Sequence, residues 1–273
     1  MNPFAQNLLW VFRVAECGGA ELTVALAKRL GAGLIVKYHD GDPTDDAKWG
    51  FQEQFRACLK VCQQQGVPLI AWGYCYGDKY GRLLKEAAAA AQALKEGAAG
   101  YVIDAEIEWE VPQGGDWAKR FLEAVHAEVP DAGQRLAYAP FWNMRWHPRY
   151  PAREFSQGCC AVMPQVYYTL AQKPPAQVVS MWQITLEDFT PFGLPIYPIG
   201  QFSGATLEQV LAFLGAIGDR PRSWWLLDKA SAEMLDAAFP DPWRQERERL
   251  LGQVADLKRR LAQIRDLAEV PPS

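Results

Sequence analysis

The chain alternates short apolar runs with amphipathic segments of helical period, and this pair recurs eight times before residue 240. Each apolar run has the length of a buried strand, and parallel strands need a helical crossover between them. The predicted strands are Leu8–Val14, Leu34–Tyr38, Pro68–Trp72, a fourth that starts at Gly100, Arg135–Ala139, Cys159–Tyr167, Pro195–Ile199 and Ser223–Leu227. Eight such units predict that residues 1–240 form an α/β protein of the (β/α)8 TIM barrel type. No glycine-rich GxGxxG follows the first strand, which argues against a dinucleotide-binding sheet.

A different pattern starts after Pro240, in a background rich in Arg, Glu and Gln. Apolar residues at 4–3 spacing predict an amphipathic C-terminal helix over residues 241–270. These residues are Trp243, Leu250, Val254, Leu257, Leu261, Ile264 and Ala268. The regular seam favours a coiled coil that joins copies of the chain through residues 243–268 into a homo-oligomer. The alternative is a helix that lies against the barrel.

Composition excludes several classes of partner. The net charge of −4 gives no reason to expect nucleic acid, which usually selects a basic patch. The sequence holds no apolar run long enough to span a membrane, and Met1–Phe12 lacks the basic start of a signal peptide. We therefore expect a protein that is made in the cytoplasm and is released by lysis or carried in a phage particle. The six cysteines show no CxxC spacing, so reduced thiols are expected.

The fourth predicted strand ends in the sequence DAEIE, with an acid at every second position. Because a strand alternates its faces, Asp104, Glu106 and Glu108 would project to the same side. Burying several carboxylates on one face is costly, and barrel enzymes place their chemistry at the C-terminal ends of strands. The pattern therefore predicts a catalytic carboxylate cluster. The alternative is a structural ion-pair network with Arg13 or Lys37.

Other predicted strand ends carry aromatic, amide and charged side chains. The residues expected to bind substrate are Glu108, Lys37, Tyr74, Tyr138, Gln165 and Tyr167. Carboxylates move protons, aromatic rings stack on sugars and amides bind hydroxyl groups, so the combination indicates a glycosidase. Asp228, Glu16 and Asp40 are candidates for a second catalytic carboxylate. Without one, an N-acetylated substrate could supply its own acetamide.

The strand-four motif resembles those of two glycosidase families. Asp104-Ala105-Glu106 is similar to the DxE of family-25 glycoside hydrolases, the lysozyme-type muramidases, and this resemblance implies that Glu106 is the proton donor. The longer stretch to Glu108 is similar to the DxDxE of family-18 chitinases, which implies Glu108 instead. Met163–Tyr167 and the tryptophan pair of strand eight also resemble glycosidase-like barrels. Two features depart from these patterns: strand one lacks the family-25 aspartate, and Glu106 replaces the middle chitinase aspartate.

These observations predict a glycoside hydrolase that cleaves a β-linked, N-acetylated polysaccharide such as peptidoglycan. Glu106 would be the general acid, Asp104 its assistant, and no cofactor is expected. A metal is not expected either, because His39, Asp40 and Asp42 show no repeated ligand spacing. The rival interpretation is a catalytically silent barrel that binds carbohydrate or serves a structural role. A third is an aldolase with Lys37 as its Schiff-base lysine, or a metal-dependent hydrolase.

Overall fold

The computed structural model describes residues 2–42, 49–240 and five helical positions between 253 and 259. Eight strands form one sheet in the order β6-β5-β4-β3-β2-β1-β8-β7, and the neighbours pair in parallel. The strands are β1 Leu8–Val11, β2 Gly33–Asp40, β3 Leu69–Cys75, β4 Tyr101–Ala105, β5 Leu136–Tyr138, β6 Ala161–Val162, β7 Ile199–Gln201 and β8 Ser223–Trp225. Bridges between Val162 and Ile196 and between Gln165 and Ile199 connect the two outer strands and close the barrel. The (β/α)8 prediction is confirmed.

A helix follows each strand and packs on the outside of the sheet. The helices are α1 Ala20–Leu30, α2 Phe51–Gln65, α3 Leu83–Glu96, α4 Gly114–Glu128, α5 Ala152–Gly158, α6 Pro175–Phe189, α7 Leu207–Ile217 and α8 Ala232–Ala238. The sixth strand is much shorter than the predicted Cys159–Tyr167. Pro164 lies within that stretch and has no N–H to donate, so only isolated bridges from Gln165 to Phe141 and to Ile199 continue the pairing.

Side chains along each strand alternate between two apolar layers. On β4, Tyr101, Ile103 and Ala105 belong to the core between sheet and helices, whereas Val102 belongs to the core inside the barrel. Asp104 continues the inward series, because residues two apart share a face. The strand period therefore delivers this carboxylate to the interior of the barrel at its C-terminal end.

An irregularity in β2 changes which side chains face inward. The pairing with β3 shifts between Lys37, which lies opposite Trp72, and His39, which lies opposite Gly73. His39 consequently points outward, where its Nε2 lies 2.6 Å from the Tyr101 hydroxyl. Gly73 is required here, since a Cβ would lie 2.2 Å from the His39 ring nitrogen. Because of the shift, Asp40 lies on the same face of the strand as Lys37, which precedes it by three residues.

The predicted C-terminal coiled coil lies almost wholly outside the described residues. The described positions there are helical, and Val254 and Leu257 are 47% and 58% exposed. Oligomerisation through residues 243–268, and the domain boundary near residue 240, stay predictions. In the described ranges, no helix combines the length and the apolar character that a membrane span requires.

Glu86 on α3 fastens the loop that leaves β3. Its side chain is fully buried, and its two oxygens accept hydrogen bonds from the backbone N–H groups of Tyr76 at 2.9 Å and Gly77 at 3.1 Å. Burial raises the pKa of Glu86 to about 8, and the two backbone hydrogen bonds oppose that rise. The contact fixes the path of a loop that carries aromatic side chains to the mouth of the barrel.

Replacing Glu86 tests this anchor. Glu86→Ala leaves two N–H groups without an acceptor and should lower the free energy of unfolding by roughly 2–4 kcal/mol, since one unsatisfied buried group costs about 1–3 kcal/mol. Denaturant unfolding measures the loss. Glu123→Ala, at an exposed position on α4, should change stability by less than about 0.5 kcal/mol. Equal losses in the two variants would contradict the anchoring role.

Candidate active site

Two carboxyl groups from the end of β4 share one amide group. Asp104 is the last inward residue of the strand and is 6% exposed, and Glu106 follows in extended conformation and is partly exposed. The Nε2 of Gln165 lies 2.9 Å from Asp104 Oδ1 and 3.1 Å from Glu106 Oε1. The same nitrogen lies 3.2 Å from the carbonyl oxygen of Ala139. A single glutamine therefore fixes both acids at the mouth of the barrel.

Glu108 joins this group although the strand has already ended. A short 3-10 turn, Ile107–Trp109, carries its carboxylate back toward β3. The Tyr74 hydroxyl donates to Glu108 Oε2 at 3.0 Å and lies 3.5 Å from Glu106 Oε2. Lys79 lies 3.8 Å from the other Glu108 oxygen. The structure thus brings Asp104, Glu106 and Glu108 together, and Glu108 also lies near the exposed Lys79.

Electrostatics favours retention of a proton within the acid pair. Burial, reinforced by the charge of Glu106, raises the pKa of Asp104 well above its ordinary value, while Lys37 opposes the rise. Burial also raises the pKa of Glu106, against the hydrogen bond from Gln165, and the charge of Glu108 adds to the rise. Ionising both acids would place two like charges on one amide group in a poorly solvated site. The pair therefore stays partly protonated to higher pH than a free carboxyl.

A buried cation sits beside the acid pair. Lys37 is 2% exposed, and its Nζ lies 2.6 Å from Asp40 Oδ2. The same nitrogen lies 4.2 Å from the ring centroid of Phe12 and 4.3 Å from that of Trp72. Burial lowers the pKa of Lys37, and Asp40 is the main group that opposes this shift. The ammonium group is thus enclosed by aromatic rings and neutralised by one carboxylate.

Aromatic side chains form the inner wall of the site. Trp10, Trp72 and Trp225 contact one another edge to face with centroid distances of 5.2–5.7 Å. Tyr167 lies 6.3 Å from Trp225. Burial raises the pKa of Tyr167, and the charges of Asp104 and Glu106 add to the rise. Trp10 and Trp72 are fully buried inside the barrel, and Tyr167 and Trp225 are partly exposed.

Two predicted site residues lie elsewhere. Tyr138 occupies an outward position of β5, where its ring lies 5.5 Å from Phe155 and its hydroxyl lies 2.7 Å from Ser156 Oγ. Strand parity explains this placement, since the neighbouring Ala137 and Ala139 are the inward residues. Asp228 forms an ion pair of 2.5 Å with Lys229. None of its hydrogen bonds or ion pairs in the described part of the chain reaches the strand-four acids.

The other two candidates for the second catalytic carboxylate also differ in position: one lies away from the acids and one lies at the mouth of the barrel. Glu16 is exposed and lies 3.4 Å from Arg13, on the loop after β1. Asp40, by contrast, lies at the mouth through its contact with Lys37 and accepts a hydrogen bond from the Tyr76 hydroxyl at 3.2 Å. The sequence interpretation could not separate these candidates, because the shift in β2 that turns Asp40 inward has no clear sequence signal.

Phe12 and Lys79 are site residues that the sequence analysis did not select. Phe12 follows Trp10 by two positions, so strand parity alone could have indicated that it faces inward. Lys79 gave no such signal, because it reads as the first residue of a helix and reaches Glu108 only through the folded loop. Among the described residues, no group of three or more His, Cys, Asp or Glu is arranged to hold a metal ion. All six cysteines are free thiols.

Solved structures of glycosidases share this fold. A GH18 chitinase from Pseudoalteromonas aurantia is 12% identical with a TM-score of 0.58, over 85% of this chain and 98% of that one. A chitinase from Chromobacterium violaceum is 12% identical with a TM-score of 0.56, over 86% and 98%. The endo-beta-1,4-mannanase from Thermotoga petrophila is 10% identical with a TM-score of 0.58, over 82% and 68%. No model of a known protein family matches the sequence, and neither does any curated protein.

The protein therefore has a glycoside-hydrolase-like TIM barrel fold. At 10–12% identity the likeness establishes architecture, and the chemistry has to be argued from the side chains of this chain. The likeness to family-25 muramidases rests on the short Asp104-Ala105-Glu106 motif alone.

The raised pKa of Asp104 predicts a pH dependence of stability. A carboxyl with a raised folded-state pKa contributes stability that is present below its ordinary pKa of 3.8 and is lost as pH rises through the folded value. The contribution of Asp104 to the free energy of unfolding of the wild type should therefore decline with rising pH above about 4. Asp104→Asn should decline less steeply, as measured by urea unfolding at several pH values. Asp116→Asn, at an exposed position, should follow the wild type, and parallel curves for all three proteins would refute the prediction.

Proposed function

We propose that the protein is a glycoside hydrolase that cleaves a β-linked, N-acetylated polysaccharide such as peptidoglycan, with Glu106 as the general acid. The observation that carries the proposal is the pair of acids held by Gln165 at the mouth of the barrel. One member of the pair is accessible and the other is buried, and burial raises the pKa of both. This is the environment that a proton-donating carboxyl requires near neutral pH.

Glu106 suits the role of proton donor because it combines partial exposure with a raised pKa. A protonated Glu106 would donate to the glycosidic oxygen as the bond breaks. Asp104 is almost inaccessible, so it acts as a positioning residue. Its oxygen accepts a hydrogen bond from the same Gln165 amide that binds Glu106, which keeps that amide oriented.

The proposed reaction does not depend on a free second carboxylate. Asp40 is paired with Lys37, and Glu108 accepts from Tyr74 and lies near Lys79. An N-acetylated sugar can supply its acetamide oxygen as the nucleophile, and water then opens the resulting intermediate. Tyr167 and Trp225, which are partly exposed, offer flat apolar surface for the sugar ring in such a reaction.

The rival interpretations fit the same contacts less well. Burial lowers the pKa of Lys37, as a Schiff-base lysine requires, but a carbonyl group could not reach it, because Lys37 is 2% exposed and donates a hydrogen bond to Asp40. A silent binding module gains nothing from two adjacent carboxyls with raised pKa values, and such an arrangement costs stability. Lys37 instead supplies a positive charge that limits this cost.

Glu106→Gln tests the proposed acid. The amide preserves size and hydrogen bonding but has no proton to donate, so turnover of purified cell wall or of a soluble N-acetylated oligosaccharide should fall by roughly 10²–10⁴-fold. Glu123→Gln on α4 is the matched control and should retain wild-type turnover. Full activity of Glu106→Gln with an intact fold would overturn the assignment.

The neighbour Glu108 distinguishes the two motif resemblances. If Glu106 is the acid, Glu108→Gln removes a charge that raises the pKa of Glu106. Hydrolysis should then persist, but its rate should begin to decline at lower pH than in the wild type, because Glu106 loses its proton earlier. A pH profile of kcat/KM measures the shift. Complete loss of hydrolysis in Glu108→Gln, with activity retained in Glu106→Gln, would transfer the role of acid to Glu108.

A further inference from the structure

Arg82 lies at the rim of the candidate site between two tyrosine rings. The carbon of its guanidinium group lies 5.1 Å from the ring centroid of Tyr76 and 5.2 Å from that of Tyr80. Gly41 allows this packing, because a Cβ at that position would lie 2.7 Å from Arg82 Nη1 and 2.9 Å from the Tyr76 ring. The guanidinium group is therefore held in a defined position by its neighbours.

The described residues give this guanidinium group no hydrogen-bond acceptor. In the described ranges, Arg82 donates no hydrogen bond and forms no ion pair, although it is half-buried. The nearby carboxylate of Glu86 is occupied by the backbone N–H groups of Tyr76 and Gly77. The other rim cation, Lys79, already lies against Glu108. Arg82 thus presents a planar set of donors whose geometry matches a carboxylate.

Tyr80 provides a second and independent observation. Its ring is 73% exposed, so folding gains little from burying it. Its backbone adopts φ +67°, a left-handed conformation that is unfavourable for a bulky residue. A large aromatic ring that is exposed and held in such a conformation is a feature that clusters at binding sites.

The rim continues directly into the acid pair. The rings of Tyr76 and Tyr74 lie 4.8 Å apart, and the Tyr74 hydroxyl contacts Glu108 and Glu106. Tyr76 also donates to Asp40. A row of tyrosines therefore leads from the proposed proton donor outward to Arg82.

We propose that Arg82 binds a carboxylate carried by the polysaccharide, next to the bond that Glu106 protonates, while Tyr76 and Tyr80 contact the sugar ring that bears it. This inference rests on the proposed function and narrows the substrate class to acidic polysaccharides. A carboxylate would accept, in a bidentate contact, hydrogen bonds from donors of Arg82 that have no acceptor among the described residues.

Binding to a matched pair of oligosaccharides tests the inference. The first probe is a tetrasaccharide of β-1,4-linked N-acetylglucosamine, and the second is the same backbone with a lactyl carboxylate on alternate sugars. Calorimetric titration into Glu106→Gln protein measures affinity without hydrolysis. The acidic probe should bind roughly tenfold more tightly at low ionic strength. Adding Arg82→Gln should remove this preference, and adding Arg82→Lys should reduce it, since lysine keeps the charge but lacks the planar fork.

Arg29→Gln, at an exposed position on α1, is the control and should keep the full preference. Thermal unfolding verifies that each Arg82 variant is folded. Equal affinity for the two probes, or a preference that survives in both Arg82 variants, would overturn the inference. If the wild type hydrolyses the neutral probe while no preference is found, the proposed function stands and the acidic subsite falls. Failure of both probes to bind would overturn the two proposals together.

Discussion

The structure of the site depends on the interactions that stabilise two neighbouring, poorly solvated carboxyl groups at the mouth of the barrel. Asp104 and Glu106 share the amide of Gln165, and burial raises the pKa of both. Water would normally solvate these charges, and here a single amide, a nearby ammonium group and a retained proton take its place. Because the arrangement is costly, the surrounding side chains have to hold the acids in one geometry.

Lys37 is the main charge that balances this cluster, and its own position depends on the irregular pairing of β2. Without that shift, strand parity would turn Asp40 away from Lys37. The same shift places His39 in the outer core beside Tyr101. One local change in pairing therefore decides which charged groups reach the barrel interior. The aromatic rings of Phe12 and Trp72 then enclose the ammonium group and limit its contact with water.

Around the acids, the loops after β3 and β4 build an uneven rim. Buried Glu86 holds the first loop from below, while Tyr74 links it to Glu108 on the second. This side of the mouth carries exposed aromatic and cationic groups, including Arg82, whose donors have no acceptor in the described ranges. The shared fold of chitinases and a mannanase accommodates such differences, because barrel function is carried by loops on a constant scaffold.

The sequence alone determined the barrel and the inward placement of Asp104 and Glu106. Apolar runs alternating with helical segments specify parallel βα units, and the strand period fixes which residues of β4 share a face. The sequence also allowed Gln165 and Tyr74 to be selected as site residues, because they lie at the ends of predicted strands. Only the tertiary structure decided that Asp40 and not Glu16 or Asp228 joins the mouth, and that Arg82 stands beside Tyr76. These placements arise from strand register and loop paths, which depend on contacts between residues far apart in the chain and leave no periodic trace in it.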